Sequence, residues 1–323
     1  MFFMFAIFLT LLGLIVFEIV SSIDNAVVNA DVLSTMKSRR AKRFFLTWGI
    51  LFAVFVVRGL LPSVIVFLAD PSIGFFGALQ AIWQTDSNVT VAVEAVTPVI
   101  MIAGGMFLLL LWAHWLFMED KKFGLPHEWY VQTYGAVWFY SIAALLLVGV
   151  IYEINNSSLE KPMHLALAAT VGFCVFFITQ GFKDNAEKIE ERLIASGEHS
   201  AMSDWAKVFF LEVLDVAFSI DGVIGAFAFT TVVPLILIGN GIGAIVVRQL
   251  TVMNVDRIRS YVYLKNGAMY SIGFLGLVMI LEAFGAHIQS WVSPVVTIGV
   301  VGYFFWRSVA ENKINGNIIG KIV

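Results

Sequence analysis

Cysteine occurs once in this chain of 323 residues, at Cys174. One thiol builds neither an intrachain disulfide nor a thiolate metal cluster, which excludes a secreted disulfide scaffold. Charge is also scarce. Asp, Glu, Lys and Arg make up 13% of the residues, about half the share of an ordinary soluble domain. A net charge of −3 implies no charged partner by itself and excludes the strongly basic face of a nucleic-acid binder. Low-complexity tracts are missing, and no linker marks a second soluble domain. What is present is apolar: 59% of the residues are hydrophobic, so the chain reads as an all-α polytopic membrane protein rather than a disordered one.

A helix needs about 20 apolar residues to cross a bilayer. Nine stretches qualify, near 2–29, 44–69, 96–118, 135–152, 162–182, 206–228, 230–247, 266–286 and 292–310, with the weakest boundary at Thr230–Thr231. The first lacks a basic leader region and carries Glu18 and Asp24, so it is expected to be a mature helix rather than a cleaved signal. The twenty basic residues then give orientation. Lys37–Arg43 holds five, Lys121–Lys122 two, Lys183–Lys207 four, Arg248–Lys265 four and Arg307 to the C-terminus three, all on alternate connections. Only Lys161 falls on the other side, and Arg58 lies within the second span. The positive-inside rule therefore predicts an outer N-terminus and an inner C-terminus. The inner connection after Lys183 predicts a short helix over Asn185–Ser196 closed by Gly197, and the outer stretch Asp70–Glu94 has an interfacial or re-entrant character.

Self-similarity appears between the first and sixth spans. Glu18-Ile-Val-Ser-Ser22-Ile-Asp24-Asn25 and Asp215-Val-Ala-Phe-Ser219-Ile-Asp221-Gly222 share the pattern acid-x-x-x-Ser-Ile-Asp at identical spacing. Arg58 and Arg248 follow in the next spans. The offset of five spans is odd, so the units run in opposite directions. This is the 3+3 inverted-repeat plan of many secondary transporters, with a site at the repeat interface. One membrane domain, 1–323, then divides into repeat 1 (1–118), connecting spans and inner loop (119–205), repeat 2 (206–286) and a last span (292–310).

Intramembrane acids mark function by default, and here they are Glu18, Asp24, Glu212, Asp215 and Asp221, with Glu282 near the end of the eighth span. They outnumber Arg58, so protons or a bound cation must compensate them. Glu18, Ser22 and Asn25 share one helical face, as do Asp215, Ser219 and Gly222. Asp24 and Asp221 join those faces only where the helix unwinds after the serine, a break that Gly222 and Gly225 would ease. All these donors are oxygens, which favours Mg, Ca or Mn. His114 and His287 are the remaining nitrogen donors, and His114 alone in a span is expected to pack or bridge helices. Buried structural pairing of Glu18 or Asp215 with Arg58 is the plainer alternative. Ser22 and Ser219 equally suit helix packing, as do Gly104–Gly105 and Gly239–Gly243, and Asn240 stands as a supporting polar group at depth.

The paired motifs Glu18-x-x-x-Ser22-x-Asp24-Asn25 and Asp215-x-x-Phe218-Ser219-x-Asp221 resemble the signatures of TerC-like integral membrane proteins. Arg248 and Tyr263-Leu-Lys-Asn-Gly267 look like that family too. Gly222 departs from the Ser or Asn of its pattern, so a side-chain ligand is not expected there. The resemblance implies a place among LysE-type exporters, a plasma-membrane location (the bacterial inner membrane for a prokaryotic source), and a function named for tellurium resistance but centred on export of divalent metal, chiefly Mn2+. Carried over by position, the metal-site residues are Glu18, Asp24, Asn25, Asp215 and Asp221, supported by Ser22, Ser219, Arg58, Glu212 and Asn240.

The leading expectation is thus a secondary transporter in the lipid bilayer that exports a hard divalent cation as substrate, with H+ as the coupling ion and no prosthetic group. An exporter of amino acids or organic cations on the same fold is the second reading. A non-transporting membrane scaffold docking through Asn185–Ser196 is the third. An enzyme is disfavoured. Asp24 and Asp221 resemble a carboxylate dyad, but the Tyr-Asp and Gly-x-Gly-Asp contexts of intramembrane aspartyl proteases are missing.

Overall fold

The structure, a computed structural model, describes residues 2–49, 74–83, 87–121, 123–195, 203–253 and 260–319, with isolated positions between 52 and 67. Every regular element among the described residues is helical. In chain order they are α1 (Phe2–Ser21), α2 (Ile23–Thr35), α3 (Arg39–Phe44) with a wider π turn at Phe45–Gly49, α4 (Phe75–Trp83), α5 (Ser87–Met118), α6 (Pro126–Gly135), α7 (Phe139–Asn156), α8 (Pro162–Ala195), α9 (Asp204–Ala226), α10 (Val233–Met253), α11 (Leu264–Ala283) and α12 (Val292–Ile319).

Among the described residues six segments are long and apolar enough to cross a membrane, within α1, α5, α6–α7, α8, α11 and α12. The chain is a multi-pass, membrane-embedded protein. The other three expected spans differ for visible reasons. The apolar part of α10, Val233–Gln249, is shorter. α9 carries Lys207, Glu212, Asp215 and Asp221. Half of 44–69 lies outside the described residues, Arg58 included.

α5 is the central helix. Met106, Phe107, Leu108 and Leu110 are buried along it, and it packs lengthwise on α11 and on α8. Small residues set the approach. A Cβ on Gly105 would sit 2.8 Å from Ile280, and one on Gly276 would sit 2.9 Å from the backbone of Leu109. In lipid, where apolar burial between helices gains little, such close contact drives association. The expected packing role of Gly104–Gly105 is therefore what the geometry displays. Lys121 closes α5 at its C-terminal end, where Nζ donates to the carbonyls of Trp115 (2.7 Å) and Leu116 (3.1 Å), which would otherwise lack partners at a helix C-terminus. Burial lowers the Lys121 pKa. α7 is peripheral and presents Tyr140, Leu145, Val148 and Tyr152 outward, as an aromatic and aliphatic lipid face requires.

The repeat motifs are brought together by two further contacts. α1 packs along α10, and α2 touches both α9 and α10. Where α2 ends and α9 begins, the fully buried Lys207 of α9 donates to the carbonyl and hydroxyl of Thr35 at 3.1 and 3.0 Å. Asp204 at the start of α9 accepts the backbone N–H groups of Lys37 (3.1 Å) and Ser38 (2.5 Å). The α2–α3 corner is thereby fixed to the start of α9.

Three expectations need correcting. Asn185–Ser196 is not a separate helix: α8 runs unbroken from Pro162 to Ala195, and Gly197 lies outside the described residues. Lys183 is consequently not a loop cation but a buried residue within α8. The helix break after the serine occurs in one motif only. Ser22 interrupts the path between α1 and α2, whereas α9 continues through Ser219, Gly222 and Gly225. The reason is packing. A Cβ on Gly225 would lie 2.3 Å from the Phe17 ring, and one on Gly222 would lie 3.0 Å from Glu18 Oε2. These glycines admit α1 rather than unwind α9.

Candidate functional site

Helix α2 supplies two amides to one carboxylate. Asn25 and Asn29, one turn apart and hence on one face, both donate Nδ2 to Asp215 Oδ1, at 2.5 and 3.0 Å. All three residues are buried. The hydroxyl of Ser219 donates to the Asp215 carbonyl at 2.5 Å, while its counterpart Ser22 donates to Glu18 Oε1 at 2.8 Å. Glu18 is fully buried, and its stem fills the notch left by Gly243 on α10, where an added Cβ would be 2.6 Å away.

The contacts are reciprocal between the motifs. Asn25, the last position of the first, meets Asp215, the first position of the second. Gly222, the last position of the second, lies against Glu18, the first position of the first. Position i of one meets position j of the other, and j meets i, as contacts across a two-fold axis do.

Acceptors predominate among the remaining polar atoms. The side-chain oxygens Asn25 Oδ1, Asn29 Oδ1, Asn240 Oδ1 and both carboxylate oxygens of Glu212 are buried with no hydrogen-bond partner among the described residues. Asn240 spends its amide on the Gly222 carbonyl, at 3.5 Å. Glu212 lies three residues before Asp215 on α9 and is received by Gly49, whose position is so tight that a Cβ would stand 1.8 Å from Glu212 Oε1. Buried oxygens without donors are costly, and a hard cation is the partner that carboxylate and amide oxygens suit. Among the described residues no three His, Cys, Asp or Glu side chains form a metal-binding group; the donors gathered here mix carboxylate with amide.

Asp221 is elsewhere. Because α9 stays helical, Asp221 keeps its place off the Asp215 face and pairs with Lys183 of α8. Both line a cavity of about 100 Å3 with His114, Glu119, Gln180 and Lys265. His114 also packs on the rings of Phe139 and Phe176, the bridging role expected of it. Thus the structure joins Asn25, Asp215 and Ser219 directly, sets Glu18 and Ser22 against Gly222, and places Asn240 at the Gly222 carbonyl. It separates Asp221 from them. The Asp24 side chain and Arg58 lie outside the described residues. Glu282 ends α11 partly buried, and His287 is exposed beyond it.

Asn29 and Lys183 were not among the expected site residues. Asn29 had a signal, since Asn25-x-x-x-Asn29 shares a helical face. Lys183 had none, because its partner is 38 residues away.

A family model matches residues 23–315. The chain belongs to the family described as "Protein of unknown function (DUF475)". The DUF475 match runs from α2 into α12 and so includes Asn25, Asn29, Lys183, Asp215, Asp221 and Asn240. The chain is also similar to the uncharacterized membrane protein YceF of Bacillus subtilis (strain 168), 35% identical over 80 residues, which are 25% of this chain and 31% of that protein. The match thus spans about a third of that relative's length. No solved structure matches.

Proposed function

We propose that this chain is a secondary transporter that exports a hard divalent cation, Mn2+ foremost, through a site between two inverted repeats. The observation that carries the reading is the set of buried oxygens around Asp215. A carboxylate at mid-membrane costs about 2.5–3.5 kcal/mol on insertion scales. Here Asn25 and Asn29 both donate to Asp215, Glu212 lies three residues before it on α9, and the other oxygens of Asn25, Asn29 and Glu212 are buried without a donor among the described residues. A cation stabilises such a site when bound, and a proton can replace it when the cation leaves. That exchange is the basis for H+ as the coupling ion.

Several features support the repeat. The Glu18–Gly222 and Asn25–Asp215 contacts are reciprocal. α5 and α11, the third and eighth of nine spans, pack along each other. Ser22 interrupts the first repeat helix, and interrupted helices supply ligands in transporters. The TerC-like signatures and the wider LysE-type plan agree with this arrangement, as does an outer N-terminus with nine spans. Metal ligands of this site are then Glu18, Asp24, Asn25 and Asp215, with Asn29 and Glu212 added on geometry, while Asp221 stands apart with Lys183.

The test is transport into inverted membrane vesicles. Vesicles bearing the chain should accumulate Mn2+ under a proton gradient and show no response to lysine or arginine. Accumulation of the amino acids instead, with Mn2+ inert, would replace this reading by export of organic cations.

A further inference from the structure

The ion pair between Lys183 and Asp221 joins α8 to α9 within the helix bundle. Both side chains are largely buried, at 8% and 14% exposure. Lys183 Nζ takes Asp221 Oδ2, while Oδ1 is buried with no hydrogen-bond partner among the described residues. A carboxylate accepts at both oxygens, so half of its capacity is unused toward those residues.

The pair does not lie in packed interior. It lines the cavity of about 100 Å3 enclosed by α1, α2, α5, α8, α9 and α11. That volume has room for roughly three water molecules, or an ion with part of its hydration shell. The same lining includes Glu119 and Lys265, also an ion pair, and both more than a third exposed. They follow α5 and open α11, on the inner side by the charge asymmetry. Gln180 and His114 line the wall between. The cavity therefore links an exposed charged rim to a buried carboxylate whose present partner is a flexible ammonium on a four-carbon stem. An isolated intramembrane carboxylate would be expensive without a cation, and a lysine head can move along such a stem while its root stays packed.

We propose that this cavity is the inner vestibule for the transported cation and that Lys183 is its built-in competitor. In the unloaded state Lys183 neutralises Asp221. An incoming divalent cation takes the carboxylate, and the ammonium withdraws into the cavity toward Gln180 and the rim. Lys183 also limits affinity, because the protein binds substrate only from the fraction in which the ammonium has moved away. This rests on the cation-export reading above and adds to it a residue, a route and a mechanism of release: the returning ammonium displaces the ion.

The experiment is Mn2+ binding by calorimetry to the purified full chain in detergent, with Lys183→Met, Lys183→Arg and Asp221→Asn. Removing the competing charge in Lys183→Met should tighten binding about tenfold or more. Lys183→Arg should stay near the wild type, and Asp221→Asn should lose most of the affinity. A merely structural lysine predicts the opposite for Lys183→Met, weaker or unchanged binding, and that result overturns the proposal. A second measurement needs no variant. Acylation of Lys183 by acetic anhydride in the wild type, read by mass spectrometry, should rise as Mn2+ saturates while Lys161 stays constant. Constant Lys183 labelling in a protein that binds Mn2+ overturns the proposal and leaves the export reading standing. Failure of the wild type to bind Mn2+ removes both.

Discussion

The amide of Asn25 donates to the carboxylate of Asp215 at 2.5 Å, joining residues 190 positions apart in the chain. Asn25 closes the first Ser-Ile-Asp motif and Asp215 opens the second, and the converse pair, Gly222 and Glu18, are also neighbours. Two helices thus meet through their Ser-Ile-Asp motifs, with the side chains of Asn25 and Asp215 buried.

That relationship makes Asn25 a positioning residue for Asp215. Asn25→Ala leaves the carboxylate with the Asn29 amide and removes one oxygen donor. Loss of such a supporting contact typically lowers metal affinity roughly 10- to 100-fold. Mn2+ uptake by inverted vesicles should fall within that range while membrane insertion is unchanged. Asn25→Asp, which keeps an oxygen but removes the donor, should be no better than alanine.

Two glycines rank by the room they leave. A Cβ at Gly222 meets a flexible carboxylate at 3.0 Å, whereas one at Gly49 would overlap Glu212 Oε1 at 1.8 Å. Overpacking a well-filled interior costs about 1–3 kcal/mol. Gly222→Ala should sit at the low end of that range and Gly49→Ala at the high end, measured as thermal denaturation of the purified protein. The reverse order would refute the placement of Glu212 against Gly49.

The corner between α2 and α3 should be sensitive to Asp204. Its carboxylate accepts two backbone N–H groups, one exposed from Lys37 and one partly buried from Ser38, and a hydrogen bond contributes about 0.5–1.5 kcal/mol net. Asp204→Ala should lower the denaturation midpoint and expose Thr35–Ser38 to proteolysis. Asp204→Asn should recover part of the loss.

Reporter fusions check the span count. An outer N-terminus with an inner C-terminus follows from nine spans and from the basic residues on alternate connections. Both termini on the same side would contradict it.

The long apolar runs made most helices legible, because a bilayer demands about 20 apolar residues and the hydrophobic stretches are separated by polar ones. Glu18, Ser22, Asn25, Asp215 and Ser219 were legible as a site because their spacing matches a helical face. Other features depended on contacts that spacing does not encode. Gly222 and Gly225 resemble a weak point in a helix, yet Glu18 and Phe17 from α1 fill the space beside them and α9 remains straight through both. Lys183 follows the apolar run of α8 and precedes a polar stretch, so hydropathy assigns it to a loop. Only the continuation of α8 to Ala195 and the place of Asp221 on α9 reveal it as an intramembrane counter-ion. Asn29 lies one turn beyond Asn25, but its role depends on a partner from α9.

Anomalous diffraction from crystals grown with Mn2+ tests the central claim most directly. The account predicts a manganese peak among oxygens of Asp215, Asn25 and their neighbours between the two Ser-Ile-Asp motifs, at roughly 2.0–2.3 Å from its ligands. Manganese bound only at the surface, with Asp215 held by Asn25, Asn29 and a basic side chain alone, would contradict it.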